Sequence, residues 1–188
     1  MSLTPSTMIP LGTQAPYFKL KDVCSDKFLS LDEIKSNNAT VIMFICNHCP
    51  YVKHIQAKLI DVVKNYQQKG VSFVAINSND AINYPADNPE QMREIAHVKG
   101  YTFPYLYDET QDIAKAYHAA CTPDFFVFDK NLACAYRGRF DDATPGNANP
   151  VTGKELTNAL DAILANKSVD ENQKPSVGCN IKWRKENS

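Results

Sequence analysis

The longest apolar runs of the chain are Thr40-Val41-Ile42-Met43-Phe44-Ile45, Val71-Ser72-Phe73-Val74-Ala75-Ile76 and Phe125-Phe126-Val127-Phe128. Runs of this length, rich in β-branched and aromatic residues, fit strands covered on both faces at the centre of a sheet. Between the first two, Val52, Ile55, Leu59, Val62, Val63 and Tyr66 recur at helical spacing. Pro50 suits the first turn of a helix and Gly70 its C-terminal stop, which predicts one amphipathic helix from about Pro50 to Lys69. A polar loop, Asn77 to Asn88, leads to a helix opened by Pro89 and closed at Gly100. Phe103 to Tyr107 reads as a further strand and Ile113 to Ala119 as a short helix. Across the turn Asp129-Lys130-Asn131, Leu132 to Arg137 is the antiparallel return of the preceding strand. Leu156, Leu160, Ile163 and Leu164 mark a last helix. Upstream, Tyr17 to Leu20 alternates weakly, Phe28 to Leu31 is a candidate pairing segment, and Asp32 to Ser36 fits one helical turn. The stretch up to Pro16 reads as an irregular lead-in, and Gly138 to Thr152 as a second long loop.

Strands alternating with helices, then a hairpin and a final helix, predict a mixed sheet with helices on both faces. The chain has 188 residues, and surface scaling implies that about 70% of the extended area is buried on folding. That is enough for one core, so residues 1–166 are expected to form one domain, with 167–188 a polar tail packed on it. Twenty Lys+Arg against 21 Asp+Glu leave a net charge of −1, which gives no electrostatic footprint for nucleic acid or an anionic membrane. No apolar run approaches the roughly 20 residues of a membrane span. Met1–Gly12 lacks the basic start and apolar stretch of a secretion signal, so a cytoplasmic location is expected.

Cysteines stand at 24, 46, 49, 121, 134 and 179. Their uneven spacing does not suit a disulfide-stapled secreted domain, but Cys46-Asn47-His48-Cys49 sits where the first central strand hands over to its helix. Two cysteines three apart at a helix start can close a small disulfide. The helix N-terminus favours a thiolate there by about 0.3–2 kcal/mol, and an imidazolium at His48 would add to it. A more stable thiolate makes the disulfide a stronger oxidant. Cys46, before the first turn, is expected to be the accessible attacking sulfur, and Cys49, one turn in, the buried resolving one. Half of a zinc site is the main structural alternative, but a tetrahedral site needs four ligands, and no second CxxC or HxxxH pair stands in the sequence. A pair of buried structural thiols is another.

Strand, Cys-Asn-His-Cys-Pro and helix, with Cys121-Thr122-Pro123 before a later strand, resemble the thioredoxin fold. Gly12-Thr13-Gln14-Ala15-Pro16-Tyr17-Phe18 is similar to the opening of the redoxin (AhpC/TSA) branch, and the whole looks like its peroxiredoxin-like group with a CxxC motif. Tyr136-Arg137-Gly138-Arg139 with Asp141-Asp142, and Gly178-Cys179-Asn180-Ile181-Lys182-Trp183, fit it too. The resemblance implies a three-layer α/β/α fold: a central mixed sheet, a C-terminal antiparallel hairpin and an N-terminal peroxiredoxin-type extension. It implies a cis Thr122–Pro123 bond facing the two cysteines, with the Thr122 backbone, Pro123 and Asn47 meeting an extended substrate. It also implies a thiol–disulfide oxidoreductase of antioxidant type, with Cys46, Cys49 and His48 catalytic and no metal or organic cofactor. Its partners would be protein or small-molecule thiols and disulfides and a thioredoxin- or glutathione-type reductant, the protein being a monomer or homodimer.

The peroxidatic pattern Pro-x-x-x-Thr-x-x-Cys, aligned on Cys49, puts Ile42 at the proline and Cys46 at the threonine, and no arginine stands near Thr122–Asp124. A thiol peroxidase using Cys49, with Cys46 or Cys179 resolving, is therefore the second enzyme reading; a redox-sensing or metal-carrying binding protein is the third. Thioredoxins also keep a buried acid in the strand before the motif, and Val41 to Ile45 has none; His48 or His54 are the substitutes at hand. Cys121, Cys179 and Arg137 are auxiliary candidates, while Cys24 and Cys134 read as structural. Arg137 and Arg139 are expected to pair with Asp141 or Asp142, Trp183 to anchor the tail, and Lys182, Arg184 and Lys185 to be solvated.

Overall fold

The computed structural model describes residues 3–185; Met1, Ser2 and the last three residues of the tail, 186–188, lie outside the described residues. Among the described residues, ten strands and five helices follow in chain order: β1 (Leu3–Pro5), β2 (Lys19–Asp22), β3 (Phe28–Ser30), α1 (Leu31–Ile34), β4 (Ala39–Phe44), α2 (Pro50–Gln67), β5 (Val71–Asn77), α3 (Pro89–Lys99), β6 (Tyr105–Tyr107), α4 (Asp112–Ala116), β7 (Cys121–Thr122), β8 (Asp124–Asp129), β9 (Cys134–Gly138), α5 (Lys154–Leu164) and β10 (Val177–Asn180). The polar loop before α3 folds into one 3-10 turn, Pro85–Asp87. Ends follow the local chemistry: Ser30 and Glu33 form a reciprocal capping box on α1, and the Asn88 side chain caps α3. Gly100 closes α3 in the left-handed conformation at φ 67°.

Seven strands form the main sheet in the order β3-β2-β6-β5-β4-β8-β9. β4 lies parallel to β5 and antiparallel to β8, so the sheet is mixed. Side chains alternate across β4. Val41, Met43 and Ile45 pack with Val52, Ile55 and Leu59 of α2, Met92 of α3 and Leu160 of α5. On the other side, Ile42 and Phe44 pack with Leu31, Ala114, Tyr117, Phe126 and Phe128. These are the two helical layers that the strand–helix alternation predicts. No helix among the described residues is long and apolar enough to cross a membrane.

A second, three-stranded sheet was not anticipated. Its order is β1-β10-β7, both pairs antiparallel, and it joins the supposed lead-in and tail to the segment before Pro123. β1 and β10 have no apolar alternation of their own; pairing makes them strands. Within the tail, Ile181 is 1% exposed and anchors it, whereas Trp183 is 41% exposed. Lys182 is buried, its Nζ on the Asn180 carbonyl at 2.9 Å, and Arg184 lies 3.7 Å from Asp80, so this basic run is not simply solvated.

Candidate active site

Cys46 stands two residues beyond the end of β4, and Cys49 is the residue that precedes α2, with Pro50 in its first turn. Burial corrects the expectation of an accessible sulfur: Cys46 is 2% and Cys49 0% exposed. The Thr122–Pro123 bond is cis and faces the pair as the resemblance implies. Thr122 Oγ1 lies 3.3 Å from Cys46 Sγ, and the Thr122 carbonyl oxygen 3.2 Å from Cys49 Sγ. The backbone edge of Thr122 is not open, however. β10 pairs with it, Cys179 opposite Thr122, and Cys179 Sγ stands 2.9 Å from Cys49 Sγ. None of the six cysteines is in a disulfide in this structure.

Charge in this cluster settles on Cys49. A hydrogen bond from Cys46 brings its thiol down to about 4, against the opposing effect of burial, with help from the Cys179 thiol and the Val52 and Cys179 backbone N–H groups. The positive end of α2 acts in the same sense. Cys46 is raised well above its usual value because it donates to Cys49, because it is buried, and because the Asp87 carboxylate is near; the Thr122 hydroxyl opposes this. The two shifts set an order of ionisation, in which Cys49 gives up its proton before Cys46.

Asp87 is the residue that sequence reasoning missed. Fully buried at the end of the 3-10 turn, it accepts the Asn47 N–H at 2.7 Å and the Asn79 side chain at 2.9 Å, and it binds His48 Nδ1. Cys46, His48 and Asp87 bring ligand-type atoms within 4.8 Å of one another. His48, the most exposed of these, stacks on Tyr84 with centroids 5.6 Å apart and planes 11° apart. Burial acts against the Asp87 charge, but the bonds from His48, Asn79 and the Asn47 N–H outweigh it and hold the carboxyl below its usual value. Such a group stabilises the fold above its unfolded value of about 3.9, and the gain is lost as pH falls through the lower folded value. Asp87→Asn should therefore flatten the acid limb of a urea-denaturation series below pH 4.

The other candidates divide. Asn47 turns inward, donating to the Ala86 carbonyl at 2.8 Å and accepting the Tyr105 hydroxyl at 3.1 Å, so it braces the turn and does not present itself to a substrate. Cys121 is buried, its thiol 3.7 Å from the Pro123 carbonyl, and burial pushes it far up. Arg137 is remote from the motif: it donates to the Ile9 carbonyl at 2.6 Å and to Gln173 at 2.7 Å. Arg139 pairs with Glu155 at 2.8 Å, so neither arginine meets Asp141 or Asp142. Asp141 instead takes the N–H groups of Thr152 and Gly153, which outcompete a surface guanidinium. His54 Nε2 is buried without a hydrogen-bond partner among the described residues, so it relays no proton here. A second missed acid, Asp124, follows the cis proline; it is 0% exposed and neither carboxyl oxygen has a well-formed partner among the described residues. Its signal was a charge opening an otherwise apolar strand.

Residues 11–137 match the AhpC/TSA family. The chain belongs to this family. Among AhpC/TSA-like and thioredoxin-like proteins it is 26% identical over 128 residues to the thiol-disulfide oxidoreductase ResA of Geobacillus thermodenitrificans, 68% of each chain. A conserved protein of Geobacillus kaustophilus, described as uncharacterized, superimposes with a TM-score of 0.98 at 57% identity, over 99% of this chain and 98% of that one. The thioredoxin domain of thiol-disulfide oxidoreductase BVU-2223 from Bacteroides vulgatus superimposes with a TM-score of 0.61 at 12% identity, over 80% and 97% of the two chains. The AhpC/TSA fold of this chain is thus thioredoxin-like.

Proposed function

We propose that this AhpC/TSA-family chain is a thiol–disulfide oxidoreductase whose working couple is Cys46 and Cys49. The observation that carries the reading is the cysteine pair at the start of α2 with the cis Thr122–Pro123 segment against both sulfurs. A substrate disulfide reaches Cys46 past the His48–Tyr84 stack, at the most exposed point of the motif. As Cys46 attacks one substrate sulfur, its proton passes to Cys49 along their hydrogen bond, and the other substrate sulfur leaves as a thiolate. That thiolate takes the proton back from Cys49. Cys49 then attacks Cys46, the Cys46–Cys49 disulfide closes, and the second substrate thiolate is released. Two electrons have moved from the protein to the substrate, and a glutathione- or thioredoxin-type thiol returns them. His48, fixed by Asp87, supports the Cys46 side of this exchange.

Equilibration of the reduced protein with glutathione buffers should remove two thiols per chain in one step, with mass mapping finding a disulfide loop within the peptide that carries Cys46 and Cys49. Retention of both thiols under oxidising buffers would overturn the reading.

A stable thiolate at Cys49, beside two further thiols, also favours peroxide reduction. In that case Cys49 would take one peroxide oxygen to become a sulfenic acid, and Cys46 or Cys179 would expel water from it. No guanidinium supports this, because Arg93 is bound to Asp26 and Val23, Arg184 pairs with Asp80, and the other two are engaged as described. Stopped-flow consumption of peroxide by the reduced protein is accordingly expected to be no faster than by free cysteine. A rate above that would make the peroxidase reading the better one.

A further inference from the structure

The strand that covers the Thr122 edge is fixed on all sides. Ser6 N–H donates to the Ser176 carbonyl, Ser176 Oγ to the Pro123 carbonyl, and Ile181 N–H to the Ala120 carbonyl. Beyond it, Lys182 N–H donates to Asn79 Oδ1 at 2.8 Å, the same side chain that holds Asp87. At Gly178 the backbones approach so closely that a Cβ would stand 2.0 Å from the Thr122 carbonyl oxygen. The consequence is that Cys179, 4% exposed, is held with its sulfur against Cys49. Cys49 thus lies between two thiols, one from its own turn and one from the far end of the chain.

We propose that Cys179 is a third redox thiol, which takes Cys49 from the Cys46–Cys49 disulfide to give a Cys49–Cys179 disulfide and release Cys46. The proposal rests on the dithiol reading above. In the step, Cys179 gives up its proton and attacks Cys49 Sγ; the Cys46–Cys49 bond breaks, and Cys46 leaves as a thiolate that takes a proton. One S–S bond replaces another, so no external oxidant or reductant is consumed.

The reduced protein keeps Cys179 idle. Burial, and then the hydrogen bond and negative charge of Cys49, push its thiol up to about 12, against the Lys182 ammonium. Once Cys49 is in a disulfide it bears no charge, two of those three causes vanish, and the Lys182 effect remains. Cys179 is thereby activated by the oxidation of its neighbour. The exchange leaves Cys46 as a lone thiol beside the Thr122 hydroxyl and the His48–Asp87 pair, able to take a second substrate sulfur while the chain is still oxidised.

The test uses full-length protein, a limiting amount of diamide, acid quenching, alkylation and tryptic mass mapping. Cys46 and Cys49 share one tryptic peptide and Cys179 lies in another, so the two disulfides differ as a loop within one peptide and a cross-link between two. Cys46→Ser should lose two thiols and yield the cross-link, while Cys179→Ser should yield the loop alone. Wild-type protein should yield both, which covers the case of a variant that fails to fold. Absence of the cross-link from wild type and from Cys46→Ser, with the loop still formed in Cys179→Ser, would overturn the third thiol and leave the dithiol standing. Absence of the loop from Cys179→Ser would overturn the dithiol itself, and the relay with it.

Discussion

Cys49→Ser should lose multiple turnover with a small disulfide substrate by at least about 100-fold, the scale seen when a covalent nucleophile is removed. A hydroxyl in place of the thiolate neither accepts the Cys46 proton nor attacks a mixed disulfide. What remains is slow, single addition at Cys46, so intact mass after incubation with oxidised glutathione should show one stable adduct per chain. Cys46→Ser should also lose turnover, but without that lasting adduct, because Cys49 is sealed and Cys179 stands beside it to displace whatever it takes up. Equal activity of Cys49→Ser and wild type would refute the assignment of Cys49 as resolving sulfur.

Asp124→Asn should be the most stabilising single change near the site. Burial raises the Asp124 carboxyl well above its usual value, and the N–H groups of Ala120 and Phe125 offset this only in part. The folded protein therefore keeps this proton while the unfolded chain loses it near pH 4. Between those two values the unfolded state binds fewer protons, so stability falls as pH rises, by about 1.4 kcal/mol per unit. The amide carries no such penalty. Relative to wild type its gain should be small at pH 4 and grow as pH rises above it, with a parallel rise in the Tm difference. Denaturant melts at the two pH values measure it. A gain that does not grow with pH would mean that Asp124 is ionised in the fold.

Legibility in the sequence followed locality. β4, β5 and β8 announced themselves because a strand covered on both faces has to be apolar throughout, and α2 because its buried residues keep helical spacing. The Cys46–Cys49 pair was equally readable, since its spacing and its place between strand and helix lie within ten residues. What was not readable is long-range. Leu3–Pro5 and Val177–Asn180 are strands only because each finds the other and Thr122, so the sequence predicts an irregular lead-in and a polar tail packed on the domain, but no strands. Asp87 is one acid among several in a polar loop, and nothing local says that it turns inward to hold His48. The burial of Cys46 was missed for the same reason, because the segments that close over the site come from distant parts of the chain. Cys179 is a candidate from the sequence because its tail can fold back over the domain; its contact with Cys49 depends on the β10–β7 register.

The β1–β10–β7 ladder also makes the thiol cluster mechanically addressable. Leu3 lies opposite Cys179, and Cys179 opposite Thr122, so tension on the amino-terminal segment is transmitted rung by rung to the sulfur that touches Cys49. A fusion partner, a docking event or a proteolytic nick at that segment would loosen the strand carrying Cys179 and retune the chemistry at the opposite end of the sequence without touching a single reacting atom.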